Sequence, residues 1–163
     1  MNPTSNHPFK HGPLKSALTR TIKDAAKRQW QKEWNEGTVT AITLRRITRQ
    51  RGVKSGPKLY NDISNRNTAA KLVQLRTGHC GLNHYLHRFG LKNTPYCECG
   101  YGKETVEHFL MECRKYKDQR KEMQKQLRRG LGAWGMRMER LLGDPKAIKH
   151  TMKYVQETGR LNT

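Results

Sequence analysis

The sequence predicts a mainly α fold: a small helical domain held together at one cysteine-rich turn and preceded by a disordered, basic N-terminus. Apolar residues recur at helical spacing in several segments, whereas the period-two pattern of a β-strand is convincing nowhere outside that turn. Only 34% of the 163 residues are hydrophobic, so we expect a small core for a chain of this length.

The N-terminal part divides into two predicted segments. Residues 1–13 are rich in proline and polar side chains and are predicted to be a disordered lead-in, and residues 14–66 a basic helical segment with a linker. Between Leu14 and Trp34 an apolar residue recurs at every fourth position among lysines and arginines, which indicates an amphipathic helix. The indole rings of Trp30 and Trp34 are suited to stacking on nucleic-acid bases. Because both residues lie on the apolar stripe, packing into the core is the favoured role.

The stretch between Gly37 and Asn61 contains no acidic residue and is interrupted by glycine and proline. Segments of this kind commonly become ordered on an RNA or DNA backbone, although a solvated loop would have the same composition. The residues predicted here to bind nucleic acid are Arg45, Arg46, Arg49, Arg51 and Lys54.

Residues 67–129 are predicted to form a helical hairpin, the cysteine-rich turn and a basic helix. Asn67 is expected to cap the first helix and Gly78 to end it. A second helix is expected from Gly81 to Arg88. Its apolar residues form a stripe that includes Phe89.

The basic helix covers Arg114–Arg129, with eight basic residues against two acidic ones. This helix is predicted to contact phosphate groups with its charged face. The alternative is that the face is only solvated. The predicted contacts are Lys115, Lys117, Arg120 and Lys121. Residues 130–163 form a C-terminal helical segment, in which Asp144-Pro145 starts the last helix and Gly159 ends it.

Three of the four cysteines, together with one histidine, lie between residues 97 and 113. A glycine-containing turn after Cys97 and Cys99 lets two thiolates approach one ion, and a short helix capped by Thr105 would carry the other two donors. The predicted ligands of one structural Zn²⁺ are Cys97, Cys99, His108 and Cys113.

Three thiolates and one imidazole close a tetrahedral shell, so the turn is a zinc knuckle and catalytic zinc is disfavoured. The alternative is that these are idle cysteines of a reduced protein, and Cys80 is the chief rival as a ligand. Disulfides are disfavoured because no secretory signal peptide opens the chain.

The charge balance points to a polyanionic partner. The chain has 33 basic and 13 acidic residues, a formal net charge of +20, which favours nucleic acid, RNA or DNA, over a merely soluble basic surface. No apolar run approaches the length of a membrane span. The expected location is nuclear or cytoplasmic, and secretion is not expected.

Several short runs of residues carry a resemblance to a known family. They are Leu75-Arg76-Thr77-Gly78-His79, Gly81-Leu82-Asn83, Tyr85-Leu86-His87-Arg88, Cys97-x-Cys99-Gly100, Glu104-Thr105-Val106-Glu107-His108-Phe109-Leu110 and Cys113. Together they resemble the C-terminal end of fungal LINE-like (non-LTR) retrotransposon polyproteins. The resemblance is dense from about Leu72 to Tyr116 and weaker around Trp30 and from Leu141 to Arg160.

The resemblance implies a specific origin and function. Such polyproteins carry a reverse transcriptase, often an RNase H domain, and then a tail with a Cys-Cys-His-Cys zinc knuckle. The resemblance to this tail implies that Cys97, Cys99, His108 and Cys113 are zinc ligands. These are the same four residues that the spacing predicts. This chain contains no Tyr-x-Asp-Asp run, and its acidic residues are scattered, so we expect no polymerase or RNase H activity.

Two functions follow as expectations. The first is a non-catalytic, zinc-dependent nucleic-acid-binding module, in which Tyr96 or Tyr101 contacts a base. The second is a structural or interaction cap for neighbouring polymerase and RNase H domains, now a remnant fragment, in which zinc serves folding alone.

Overall fold

A computed structural model describes residues 13–36, 59–60, 63 and 65–162 of the chain. The chain divides near residue 38 into two compact units, which are described separately. Nearly all of the predicted lead-in, residues 1–12, lies outside the described residues, as does the predicted linker contact set of Arg45, Arg46, Arg49, Arg51 and Lys54.

The first unit contains one helix, α1, over Pro13–Glu36. It confirms the helix predicted between Leu14 and Trp34 and extends it slightly at both ends. The rings of Trp30 and Trp34 stack on each other with centroids 5.5 Å apart. Trp30 is itself 43% exposed, and Leu18 and Ile22 of the predicted stripe are also exposed, so the core packing expected for the indole rings is not seen within this unit.

The second unit begins with α2, over Arg66–Thr77, whose Leu72 and Leu75 are fully buried. Its N-cap is Asn65, whose side chain accepts hydrogen bonds from the backbone N–H groups two and three residues later. The prediction of Asn67 was therefore wrong by two residues. Gly78 ends the helix with a φ of +79°, as predicted.

Helix α3, over Asn83–His87, is shorter than the segment predicted from Gly81 to Arg88. Leu82, just before it, is buried as the predicted apolar stripe requires. Phe89 was expected on the same stripe, but its side chain is 60% exposed. The helix is too short to turn that residue back towards the core.

The chain after Cys113 is helical. A short 3₁₀ turn is followed by α4, over Lys117–Leu131, by a second 3₁₀ turn, by α5, over Met138–Leu141, and by α6, over Pro145–Thr158. The side chain of Asp144 caps α6 and Gly159 ends it, which confirms both predicted limits.

Helices α4 and α6 pack against each other around the main core. Helix α4 contributes the buried Met123 and Leu127, and α6 contributes Ile148, Met152 and Val155. In both helices these residues recur at helical spacing and so form one apolar face that packs into the core.

The fold is mainly α, as predicted. Within the described ranges, the nearest approach to a β-sheet is one isolated antiparallel bridge between Tyr96 and Lys103. No helix in the described part of the chain is long and apolar enough to span a membrane.

Candidate metal centre

Four donor side chains meet in the second unit: Cys97, Cys99, His108 and Cys113. Their ligand atoms all lie within 4.8 Å of one another. Cys97 Sγ is 3.6 Å from Cys113 Sγ, and Cys99 Sγ is 3.3 Å from His108 Nε2. Tetrahedral bonds of about 2.3 Å to sulfur and about 2.0 Å to nitrogen would separate such pairs by roughly 3.8 and 3.5 Å. These two pairs therefore lie close to the separations that a shared ion would impose.

The first pair of cysteines lies on a tight turn. The backbone N–H of Gly100 donates to the carbonyl of Cys97, and the N–H of Cys97 donates to the carbonyl of Gly102. Both glycines have positive φ values, +73° and +92°, which residues with a side chain rarely adopt. The turn brings both thiols to the same side, as the sequence predicted.

The second pair depends on a turn of π-helix over His108–Glu112. Thr105 caps this short helix as predicted, because its Oγ1 accepts from the backbone N–H of His108. On an α-helix, residues five apart point about 140° away from each other. Here the N–H of Cys113 donates to the carbonyl of His108, so the wider turn returns Cys113 to the side of the imidazole.

The wider turn leaves the carbonyl of Phe109 without its α-helical partner. The hydroxyl of Tyr154, in α6, donates to this carbonyl at 2.6 Å. Both side chains are almost completely buried, and their ring centroids are 5.4 Å apart. A buried carbonyl needs a partner, so Tyr154 stabilises the π-helical turn from the core.

His108 is buried and held in the orientation that a metal ligand requires. Its Nδ1 lies 3.5 Å from a carboxylate oxygen of Glu112, which leaves Nε2 directed at the cysteines. A carboxylate on the outer ring nitrogen fixes the tautomer and strengthens the other nitrogen as a ligand.

The three thiols differ in acidity. Burial raises the pKa of Cys97 to about 12 and also raises the pKa of Cys113. Burial acts on Cys99 in the same direction, but hydrogen bonds from the backbone N–H groups of Tyr101 and Arg114 outweigh it and lower its pKa to about 6. A bound cation would ionise all three thiols, since coordination favours the thiolate.

A buried ionic cluster ties the metal centre to the rest of the unit. The carboxylate of Glu104, 3% exposed, accepts two hydrogen bonds from the guanidinium of Arg160, at 2.6 and 2.8 Å. It also accepts one from the backbone N–H of Asn83, the first residue of α3. The Asn83 amide in turn donates to the carbonyl of Tyr96. We call Glu104, Arg160 and Asn83 the Glu104 cluster.

Sequence reasoning did not find this cluster. Asn83 and Glu104 lie in runs that resemble the polyprotein tail, and Arg160 ends the segment where the resemblance is weaker, but nothing in a single sequence pairs residues 56 positions apart. Cys80, the rival ligand, lies outside the group of four donors. It is 4% exposed, and burial raises its pKa to about 11.

The predicted phosphate contacts on the basic helix differ in their surroundings. Lys117 is exposed, Lys115 pairs with Glu98 at 2.7 Å, and Lys121 lies 3.5 Å from Asp118. Arg120 is only 8% exposed, and it donates to the carbonyl of Cys113 at 2.7 Å. Its position makes it a support for the metal centre, while its role in nucleic-acid binding stays a prediction.

The two tyrosines of the knuckle are both 56% exposed. The guanidinium of Arg114 lies over the ring of Tyr101, 4.3 Å from its centroid. Tyr101 thus presents aromatic surface beside a positive charge, the combination that suits contact with bases, and Tyr96 presents an exposed ring.

Fold and site together describe a small helical domain with a Cys-Cys-His-Cys donor set. Over 91 residues the chain is 34% identical to the "Retrovirus-related Pol polyprotein from type-1 retrotransposable element R1" of Bradysia coprophila, which covers 56% of the chain and 8% of that protein. Over 99 residues it is 30% identical to the R1 2 counterpart of Nasonia vitripennis, which covers 61% of the chain and 22% of that protein.

These comparisons confirm the retrotransposon polyprotein part of the resemblance. They do not support its fungal part, because both relatives come from insects. The chain spans less than a quarter of either relative. No family model matches the chain, and no solved structure matches it significantly.

Proposed function

We propose that the chain is a non-catalytic, zinc-dependent nucleic-acid-binding module that corresponds to a small region of a retrotransposon polyprotein. The observation that carries the proposal is the meeting of four donors in the second unit of a strongly basic chain. The relatives are Pol polyproteins, a class whose work involves nucleic acid, and this supports the choice of partner.

The donor set favours zinc as the ion. Three sulfur atoms and one imidazole nitrogen form a soft, tetrahedral set, whereas magnesium and calcium prefer oxygen ligands. Zinc would supply structural cross-linking here, since it would join the Cys97 turn to the π-helical turn. All four coordination positions would be occupied by protein, which argues against a metal-bound water and hence against hydrolysis at this site.

Charge supports the choice of nucleic acid. The excess of 20 positive charges is spread over α1, the linker and the second unit. In the second unit, residues 63–97 contain five lysines and arginines and no acidic residue. A surface of this kind attracts a phosphate backbone and releases counterions when it binds.

The experiment is a salt titration of binding by the zinc-loaded chain. Fluorescence anisotropy with a labelled 20-nucleotide RNA, and with single-stranded and duplex DNA, would give Kd between 50 and 300 mM KCl. We expect log Kd to rise linearly with log salt, with a slope of about 0.7 to 0.9 for each phosphate contact. Chelation of zinc should weaken binding.

Matched variants localise the contact. Lys117→Gln removes an exposed charge of the basic helix, and Lys153→Gln removes one from α6. The first should lower the salt slope by about one contact and the second should leave it unchanged. A zinc-loaded, folded chain with no salt-dependent affinity would contradict the proposal and would instead favour a structural cap for neighbouring polyprotein domains.

A further inference from the structure

Three rings form a row along the surface of α3. The ring centroids of His79 and Tyr85 are 5.2 Å apart, and those of Tyr85 and Phe89 are 5.0 Å apart. The two outer members are exposed, and Tyr85 is half-buried between them. We call this set the aromatic row.

Because α3 ends at His87, the core of the unit does not cover Phe89. Its side chain is 60% exposed, and Leu91, on the other side of Gly90, is 69% exposed. Two large apolar side chains exposed this close together in the chain, with the ring of Tyr85 beside one of them, form an apolar patch that is available to another molecule. The ring of Tyr85, which is half-buried, lies against that of Phe89 from within the unit.

The charges around the aromatic row are positive. Arg88 and Lys92 flank Phe89 in the sequence and are exposed. Burial lowers the pKa of His84, the residue before Tyr85, and the charges of Lys103 and Arg88 lower it further, so Lys103 is a third cation in the neighbourhood.

One acidic residue close to His84 is Glu104, whose backbone carbonyl accepts from the N–H of His84, but its side chain does not offset these charges. Glu104 is buried and neutralised by Arg160. An apolar patch with this rim suits a polyanion better than an apolar protein partner.

We infer that the aromatic row is a stacking platform for unpaired bases of single-stranded nucleic acid. The inference rests on the proposed function and specifies its ligand. Bases present their π-faces only where they are unstacked, and exposed rings beside cations are the means by which proteins bind them without reading sequence. A duplex hides those faces and would use the cations alone.

The test compares Phe89→Ala with Val73→Ala in the zinc-loaded full chain. Val73 is a 44% exposed apolar residue of α2 and serves as the matched control. The probes are a labelled 12-nucleotide oligouridine, an oligothymidine of the same length and a 12-base-pair duplex. We expect Phe89→Ala to weaken binding of both single strands on the order of 5- to 150-fold, with an unchanged salt slope, and to leave duplex binding within about twofold.

The design separates two kinds of failure. If wild type binds single strands and Phe89→Ala binds them equally well, the platform is refuted while the proposed function stands. If wild type binds no nucleic acid in a salt-dependent way, both are refuted. A Phe89→Tyr variant, which keeps an aromatic face, should retain affinity within about threefold. Loss of binding in that variant would contradict stacking as the cause.

Discussion

Replacing Glu104 by glutamine should destabilise the second unit strongly. The substitution keeps the shape of the side chain and removes its charge. Arg160 would then lose a bidentate partner at 2.6 and 2.8 Å, and one amide hydrogen would face its guanidinium. The helix α3 would also lose a charged acceptor at its first N–H group, that of Asn83.

The magnitude follows from burial. Removing one partner of a buried ion pair costs about 3 to 5 kcal/mol, because a charge is left without compensation. The side chain of Arg160 is 22% exposed, so water can relieve part of this cost. We therefore expect a loss of about 3 kcal/mol in the free energy of unfolding.

Urea denaturation at saturating zinc measures this loss. With a slope of about 1.5 kcal/mol per molar urea, the midpoint should fall by roughly 2 M. The matched control is Glu98→Gln, which removes the carboxylate from an ion pair of similar length, 2.7 Å to Lys115, on the exposed surface. Its midpoint should stay close to that of wild type, because solvent screens such pairs.

Equal midpoints for the two variants would refute this reasoning. That result would mean that the buried ion pair of the Glu104 cluster adds no more stability than an exposed ion pair of similar length. Equal midpoints count against the reasoning whether both midpoints fall or neither does.

Three further predictions concern the metal centre and its support. In zinc-free protein at pH 7.5, iodoacetamide should modify Cys99 before Cys80 and Cys97, as peptide mass spectrometry would report, because the pKa of Cys99 is lowered to about 6 while those of Cys80 and Cys97 are raised to about 11 and about 12; modification of Cys80 before Cys99 would contradict those shifts and the burial of Cys80. Tyr154→Phe should lower the free energy of unfolding by about 1 to 3 kcal/mol, since it leaves the carbonyl of Phe109 unpaired in the core; a neutral effect in thermal denaturation would remove its role in the π-helical turn. Zinc affinity should rise with pH between about 6 and 9, by up to about 100-fold per unit, because two of the cluster thiols have raised pKa values and must lose protons to bind; a pH-independent affinity in competition titrations would contradict those shifts.

Local chemistry made part of the structure predictable from the sequence. Asp144 and Pro145 determine the start of α6 through one side-chain hydrogen bond and one fixed φ, and Gly159 ends it in the left-handed region. The four metal donors were predictable for a similar reason. Their spacing reflects a turn and a short helix that bind the same ion.

Features that depend on distant residues were not predictable. The π-helical turn is stabilised by Tyr154, 45 residues from the carbonyl that it pairs, and the sequence suggests only an ordinary helix there. Phe89 fits an apolar helical stripe in sequence, but α3 ends at His87, before that stripe can reach the core. Asn65 and Asn67 are the same residue type and would cap a helix equally well, so the sequence does not decide between them.

The measurement that tests the account most directly is the zinc content of purified protein, determined by elemental analysis for wild type, His108→Ala and Cys80→Ala. The donor geometry predicts one zinc per chain in wild type, loss of that zinc in His108→Ala and full retention in Cys80→Ala. Absence of zinc from wild type, or its loss in Cys80→Ala, would contradict the metal centre and with it the proposed function.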